Sequence, residues 1–82
     1  MCAGIYELLK GIKEYGSINA SAKKMHMAYN KAWTMLREAD KEHPLIMNKE
    51  FAGRSYGSKV TEYGLNLMHK YESIVRKIED EI

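Results

Sequence analysis

Two residues, His26 and Met27, are all that separates two stretches with helical apolar spacing. Whatever this chain folds into must therefore hold a pair of helices that turn sharply against each other. Upstream of the pair, Ile18, Ala22 and Met25 fall on one stripe, which predicts a short helix over about 20–25 with Asn19 as its cap. The small residues Ala20, Ser21 and Ala22 leave room for another helix to approach closely. Downstream, Ala32, Met35, Leu36 and Ala39 form the inner face of a helix from about Ala28 to Glu42. It must end before Pro44, because the residue ahead of a proline is pushed out of helical geometry. With Ala32 at zero on a helical wheel, Leu36 lies near 40° and Ala39 near 340°, while Asn30, Thr34, Arg37 and Lys41 lie between about 140° and 200°. One face of this helix is core and the opposite face is polar and basic.

The remaining elements follow from the same patterning. Ile5, Leu8, Leu9 and Ile12 predict a helix over about 4–15, stopped by Gly16, which takes the left-handed conformation readily. Beyond Pro44, Leu45, Met47 and Val60 stand in short stretches flanked by polar residues, with Gly53 and Gly57 between them. This reads as two antiparallel strands, about 45–49 and 58–60, joined by a loop Glu50 to Gly57 that carries Arg54, Ser55 and Tyr56. Thr61 then caps a last helix running nearly to Ile82, about 30 Å. The expected fold is mainly α with a small β-hairpin, a winged helix-turn-helix with a long C-terminal helix. Its 82 residues form one domain, 1–82, because a chain of this size buries only roughly 60% of its unfolded surface and leaves no material for a second core.

Composition narrows the function classes. No apolar run approaches the ~18 residues of a membrane span, and no basic stretch followed by an apolar run marks a signal peptide. Cys2 is the single cysteine, so no internal disulfide forms and a reducing, cytoplasmic setting is expected. His26, His43, His69 and Cys2 are not spaced at i, i+3 or i+4 to one another, so no metal site or other cofactor is expected. With no nucleophile triad, phosphate-binding glycine loop or carboxylate pair in an evident cleft, the chain is not expected to be an enzyme.

Net charge is only +2, but its distribution is uneven. Residues 17–60 hold Lys23, Lys24, Lys31, Arg37, Lys41, Lys49, Arg54 and Lys59 against four acids, and no acid interrupts 17–37. Such a bias is the electrostatic footprint of a surface that meets phosphate, although a solvated basic face carries the same bias. The helix with the basic face supplies the contact set. Asn30 pairs bidentately with adenine, Lys31 and Arg37 reach guanine or phosphate, and Thr34 does either. Lys41 lies on the same face, and Tyr29 either donates to a phosphate or packs over the second helix. Trp33 falls at the boundary of the core. Arg54, at the tip of the expected wing, and Lys59, at its end, are assigned to the DNA backbone. Double-stranded DNA is the expected partner. A helical module with a wing that binds another protein is the rival reading.

The last helix carries Met68, Tyr71, Val75, Ile78 and Ile82 at alternating steps of three and four, the seam of a coiled coil, with Leu65, Leu67 and Ile74 beside it. Two adjoining apolar faces suggest that one packs on the domain and the other on a second copy, giving a homodimer.

Three ordered runs extend the argument: Gly16-Ser17-Ile18-Asn19-Ala20-Ser21-Ala22-Lys23-Lys24-Met25, then Met27-Ala28-Tyr29-Asn30-Lys31-Ala32-Trp33, and Val60-Thr61-Glu62-Tyr63-Gly64. Together they resemble the N-terminal DNA-binding domain of the molybdate-responsive regulators of the ModE family, which is related to the winged helix of LysR-type regulators. The resemblance implies sequence-specific DNA binding as a dimer, with the long terminal helix contributing to the contact between copies. Two departures stand out. Position 28 is alanine where the family usually places a capping serine or threonine, and the expected wing has Tyr56 in place of a glycine cluster. Molybdate binding in that family belongs to a separate C-terminal domain, so no molybdate site is expected in this chain.

Overall fold

The computed structural model describes residues 2–44 and 59–81. Within them the chain forms α1 (Ala3–Tyr15), α2 (Ile18–Lys24), α3 (Tyr29–Glu42) and α4 (Glu62–Glu81). α1 ends where Gly16 takes a φ of +80° and its amide donates to the Ile12 carbonyl at 2.7 Å. That left-handed residue leaves Ser17 extended, and the Ser17 hydroxyl accepts from the Ala20 amide at 3.0 Å. Ser17 is thus the cap of α2 in place of Asn19, and the helix starts about one half-turn earlier than its stripe suggests. Thr61 caps α4 as its sequence position indicates, accepting from the Gly64 amide at 3.1 Å.

The turn between α2 and α3 has a defined geometry. The Met27 amide donates to the Ala22 carbonyl at 2.9 Å and the His26 amide to the Lys23 carbonyl at 3.0 Å. These are the paired six-to-one and five-to-two bonds of a Schellman ending. His26 therefore sits at φ +55°, a left-handed position that glycine fills at no steric cost. The two bonds hold the turn against that cost.

The core is built mainly by the first three helices. Leu8, Leu9, Ile12, Ala22, Ala32 and Leu36 are essentially inaccessible, and Met68 of α4 joins them. The tightest contact is between α1 and α2. A Cβ added at Gly11 would lie 2.1 Å from the Ser21 Oγ and 2.7 Å from its Cβ, so only glycine permits this crossing. The fully buried Ser21 hydroxyl donates to the Leu8 carbonyl at 2.7 Å, so burying it leaves no hydrogen bond unmade.

α4 meets this unit through the half nearer Thr61. Gly64 and Met68 are buried, and the Tyr71 ring stacks on Tyr6 of α1 with centroids 4.7 Å apart. The Tyr6 hydroxyl donates to the Glu72 carboxylate. From Ser73 to Asp80, Val75 alone is partly buried.

The β-hairpin expected from the sequence requires correction. Among the described residues the chain is all-helical and has no strand. The first expected strand, 45–49, and the loop with Arg54 lie outside the described residues. Of the second, Lys59 is irregular and Val60 makes an isolated bridge. The hairpin rested on three apolar positions, Leu45, Met47 and Val60, too few alternations to fix a strand. A lone two-stranded hairpin is also marginal in water.

Candidate nucleic-acid interface

α3 divides as its wheel requires. Ala32 and Leu36 are fully buried, whereas Asn30, Lys31, Thr34, Arg37 and Lys41 are all exposed. Tyr29 and Trp33 lie between the two faces and pack against the core edge. Lys23 and Lys24 are exposed in the last turn of α2, where cations interact favourably with the helix dipole.

The side chains of this face are partly organised by one another. The Arg37 guanidinium lies over the Trp33 ring, 5.2 Å from its centroid, an attraction worth about 0.5–1 kcal/mol at an exposed site. The Thr34 hydroxyl donates to the Asn30 carbonyl at 2.9 Å, which leaves its oxygen as an acceptor. Lys41 pairs with Glu38 at 3.3 Å, both well exposed, so its charge is partly offset. Spacings of i, i+4 for Trp33 and Arg37 and i, i+3 for Glu38 and Lys41 are the sequence signals that carry these pairings. Ala28 provides no side-chain oxygen at the N-terminus of α3, so the amides of its first turn have no side-chain cap.

Two assigned backbone contacts fare differently. Lys59 is exposed just ahead of α4, and Arg54 is outside the described residues.

The residues assigned to a second copy do not stay together. Met68 faces the core of its own chain, with 2% of its surface exposed, and Tyr71 is occupied by Tyr6. Val75 is half-buried, Ile78 is 56% exposed, and Ile82 lies outside the described residues. Ile74, read from the sequence as a flanking residue, is the most exposed large apolar side chain described, at 60%. Ile74 and Ile78 lie one turn apart on a face that turns away from Met68.

Among the described residues no group of three or more His, Cys, Asp or Glu is placed to hold a metal ion. No described helix is long and apolar enough to cross a membrane. No protein-family model matches the sequence, and no curated protein is similar to it.

Proposed function

We propose that this chain is a sequence-specific DNA-binding transcription regulator that reads duplex DNA with α3. One observation carries this: Asn30, Lys31, Thr34 and Arg37 stand exposed together on the outer face of the second helix of a tight helix-turn-helix. A helix of this kind fits the major groove, where its amide and guanidinium groups meet distinct base-edge patterns. Holding Arg37 over Trp33 reduces the side-chain freedom lost on contact with a base. The uncapped amides that open α3 are donors for a phosphate, a role helix N-termini fill readily. The likeness to the ModE DNA-binding domain belongs to this proposal in the helix-turn-helix runs, residues 16–25 and 27–33. So does action as a homodimer without a molybdate site or an enzymatic activity of its own. The exposed face that remains for a second copy is Ile74 and Ile78. A cytoplasmic setting accords with duplex DNA as the partner.

That same apolar face favours a second reading, a helical module that binds another protein. Selection of binding sites from random duplex DNA separates the two. The regulator reading expects an enriched inverted repeat with half-sites about one helical turn or a multiple apart. Replacing Asn30 or Arg37 with alanine should then cost roughly 1–3 kcal/mol and relax the choice of base. No enriched sequence, with binding at physiological salt no tighter than about 10⁻⁴ to 10⁻⁶ M, would favour the protein-binding module instead.

A further inference from the structure

We propose that Glu38 and Lys41 read one C·G base pair together, Glu38 accepting from the cytosine amino group and Lys41 donating to the guanine. The inference rests on the reading of α3 as the DNA-reading helix and adds an acid to a contact set of cationic and neutral side chains. Thr34, Arg37, Glu38 and Lys41 are all exposed and stand at i, i+3, i+4 and i+7. The four fall within about 100° of the helical wheel, so they share one face. Helices that read a major groove present side chains to base edges at this same spacing. Glu38 therefore belongs to the face that Asn30, Thr34 and Arg37 define.

An acid on such a face is repelled by every phosphate, and a carboxylate only accepts hydrogen bonds. Its presence is offset only where a base offers a donor, which in the major groove means the amino group of cytosine or adenine. The Lys41 Nζ lies 3.3 Å from the Glu38 Oε1, with 65% and 64% of the two side chains exposed. A pair so exposed adds little to stability, yet it holds a donor and an acceptor side by side at the surface. Lys41 keeps further N–H groups and Glu38 a second oxygen, so both meet a base without parting. A C·G pair offers the complementary pattern, the cytosine amino donor beside the guanine O6 acceptor. In an A·T pair the adenine N7 acceptor flanks the amino group and repels a carboxylate. In a C·G pair the flanking N7 belongs to guanine, on the side of the lysine, where it is a second acceptor.

The two residues also have a simpler use, as a solvated ion pair, and the test distinguishes the two. Binding sites are selected from random duplex DNA with the wild type, Glu38→Ala, Glu38→Gln, Lys41→Ala and Arg37→Ala, with thermal melts alongside. The expected result is a C·G pair in the wild-type half-site at which Glu38→Ala and Lys41→Ala both lose their preference. For Glu38→Ala the lost discrimination should be about 5- to 150-fold. Glu38→Gln should select adenine at that position, because an amide pairs with both N6 and N7. A scrambled duplex should bind Glu38→Ala at least as tightly as the wild type, since a charge that phosphate repels is gone. An unchanged motif for Glu38→Ala, with that of Arg37→Ala altered, overturns the proposal and leaves the regulator reading standing. Loss of preference at a base pair other than C·G, or at different base pairs for Glu38 and Lys41, also overturns it. If the wild type itself enriches no sequence, both readings fall together.

Discussion

α1 and α4 each carry an apolar stripe at helical spacing, yet the two stripes meet different fates. In α1, Ile5, Leu8, Leu9 and Ile12 are all covered by the same chain. In α4, Gly64 and Met68 are covered, Tyr71 and Val75 are half-covered, and Ile74 and Ile78 face outward. The difference lies in length and position. α1 has thirteen residues, flanked by α2 and α3, whereas α4 has twenty and meets the three-helix unit mainly along its first half. Periodicity reports that a face is apolar. It does not report which neighbour covers that face.

The contrast is sharpest in a pair of substitutions. Leu8→Ala should lower stability by about 2–5 kcal/mol, because a fully buried leucine loses both its transfer energy and its packing. Ile78→Ala, measured at low protein concentration, should remain within about 0.5 kcal/mol of the wild type. Urea unfolding reads both, and equal losses would mean that α4 is covered along its whole length by its own chain. A smaller effect is expected at the α1–α2 crossing. Gly11→Ala should cost about 1–3 kcal/mol in the same experiment, since its methyl overlaps Ser21, whereas alanine inside an ordinary exposed helix stabilises it. A gain in stability would show that the two helices separate at little cost.

The starts of the two helices give a third test. α4 begins with a working cap and α1 begins at Cys2, whose side chain caps nothing. Thr61→Ala should lose about 1 kcal/mol and Cys2→Ser should gain up to about as much, both read as shifts in melting temperature. A Thr61→Ala protein that melts like the wild type would mean that the first turn of α4 is held by packing alone.

The last test concerns the link between α1 and α4. Hydrogen bonding to the Glu72 carboxylate, with burial, pushes the Tyr6 hydroxyl up from its ordinary 10 to about 12. Between those values the unfolded chain releases a proton that the folded chain retains, so stability falls as pH rises. The contribution is fully present below about pH 10 and is lost as pH passes through about 12. Tyr6→Phe should remove this part of the alkaline fall in denaturant unfolding. An identical slope in both proteins would mean that the bond to Glu72 does not persist in solution.

Much of the helical layout was legible from the residues. The bounds of α1 and α3 agree with their stripes to within a residue, and Thr61 and the missing cap at Ala28 are local features that need no tertiary knowledge. α2 was less legible because Ser17 and Asn19 are both good caps, and the left-handed Gly16 decides between them. The hairpin had weak support in the sequence, because Leu45, Ile46 and Met47 run together without alternation and Val60 stands alone among polar residues. In the candidate site, the exposed face of α3 followed from its wheel, whereas the stacking that occupies Tyr71 joins it to Tyr6, far away in sequence. The Met68 and Tyr71 seam matched a coiled coil because α4 meets its own core with the same three-four spacing that a second helix would demand.

The contact between Gly11 and Ser21 also restricts the order in which the sequence can drift. While position 21 keeps a side chain, every other residue at position 11 is met by overlap. If position 21 changes first, the bond from its hydroxyl to the Leu8 carbonyl is lost before any room gained at position 11 is used. Neighbouring sites of this kind are not additive, so each single step is costlier than its half of the double change. The two positions should therefore be inherited as a pair, a fixed point about which the residues facing solvent are free to diverge.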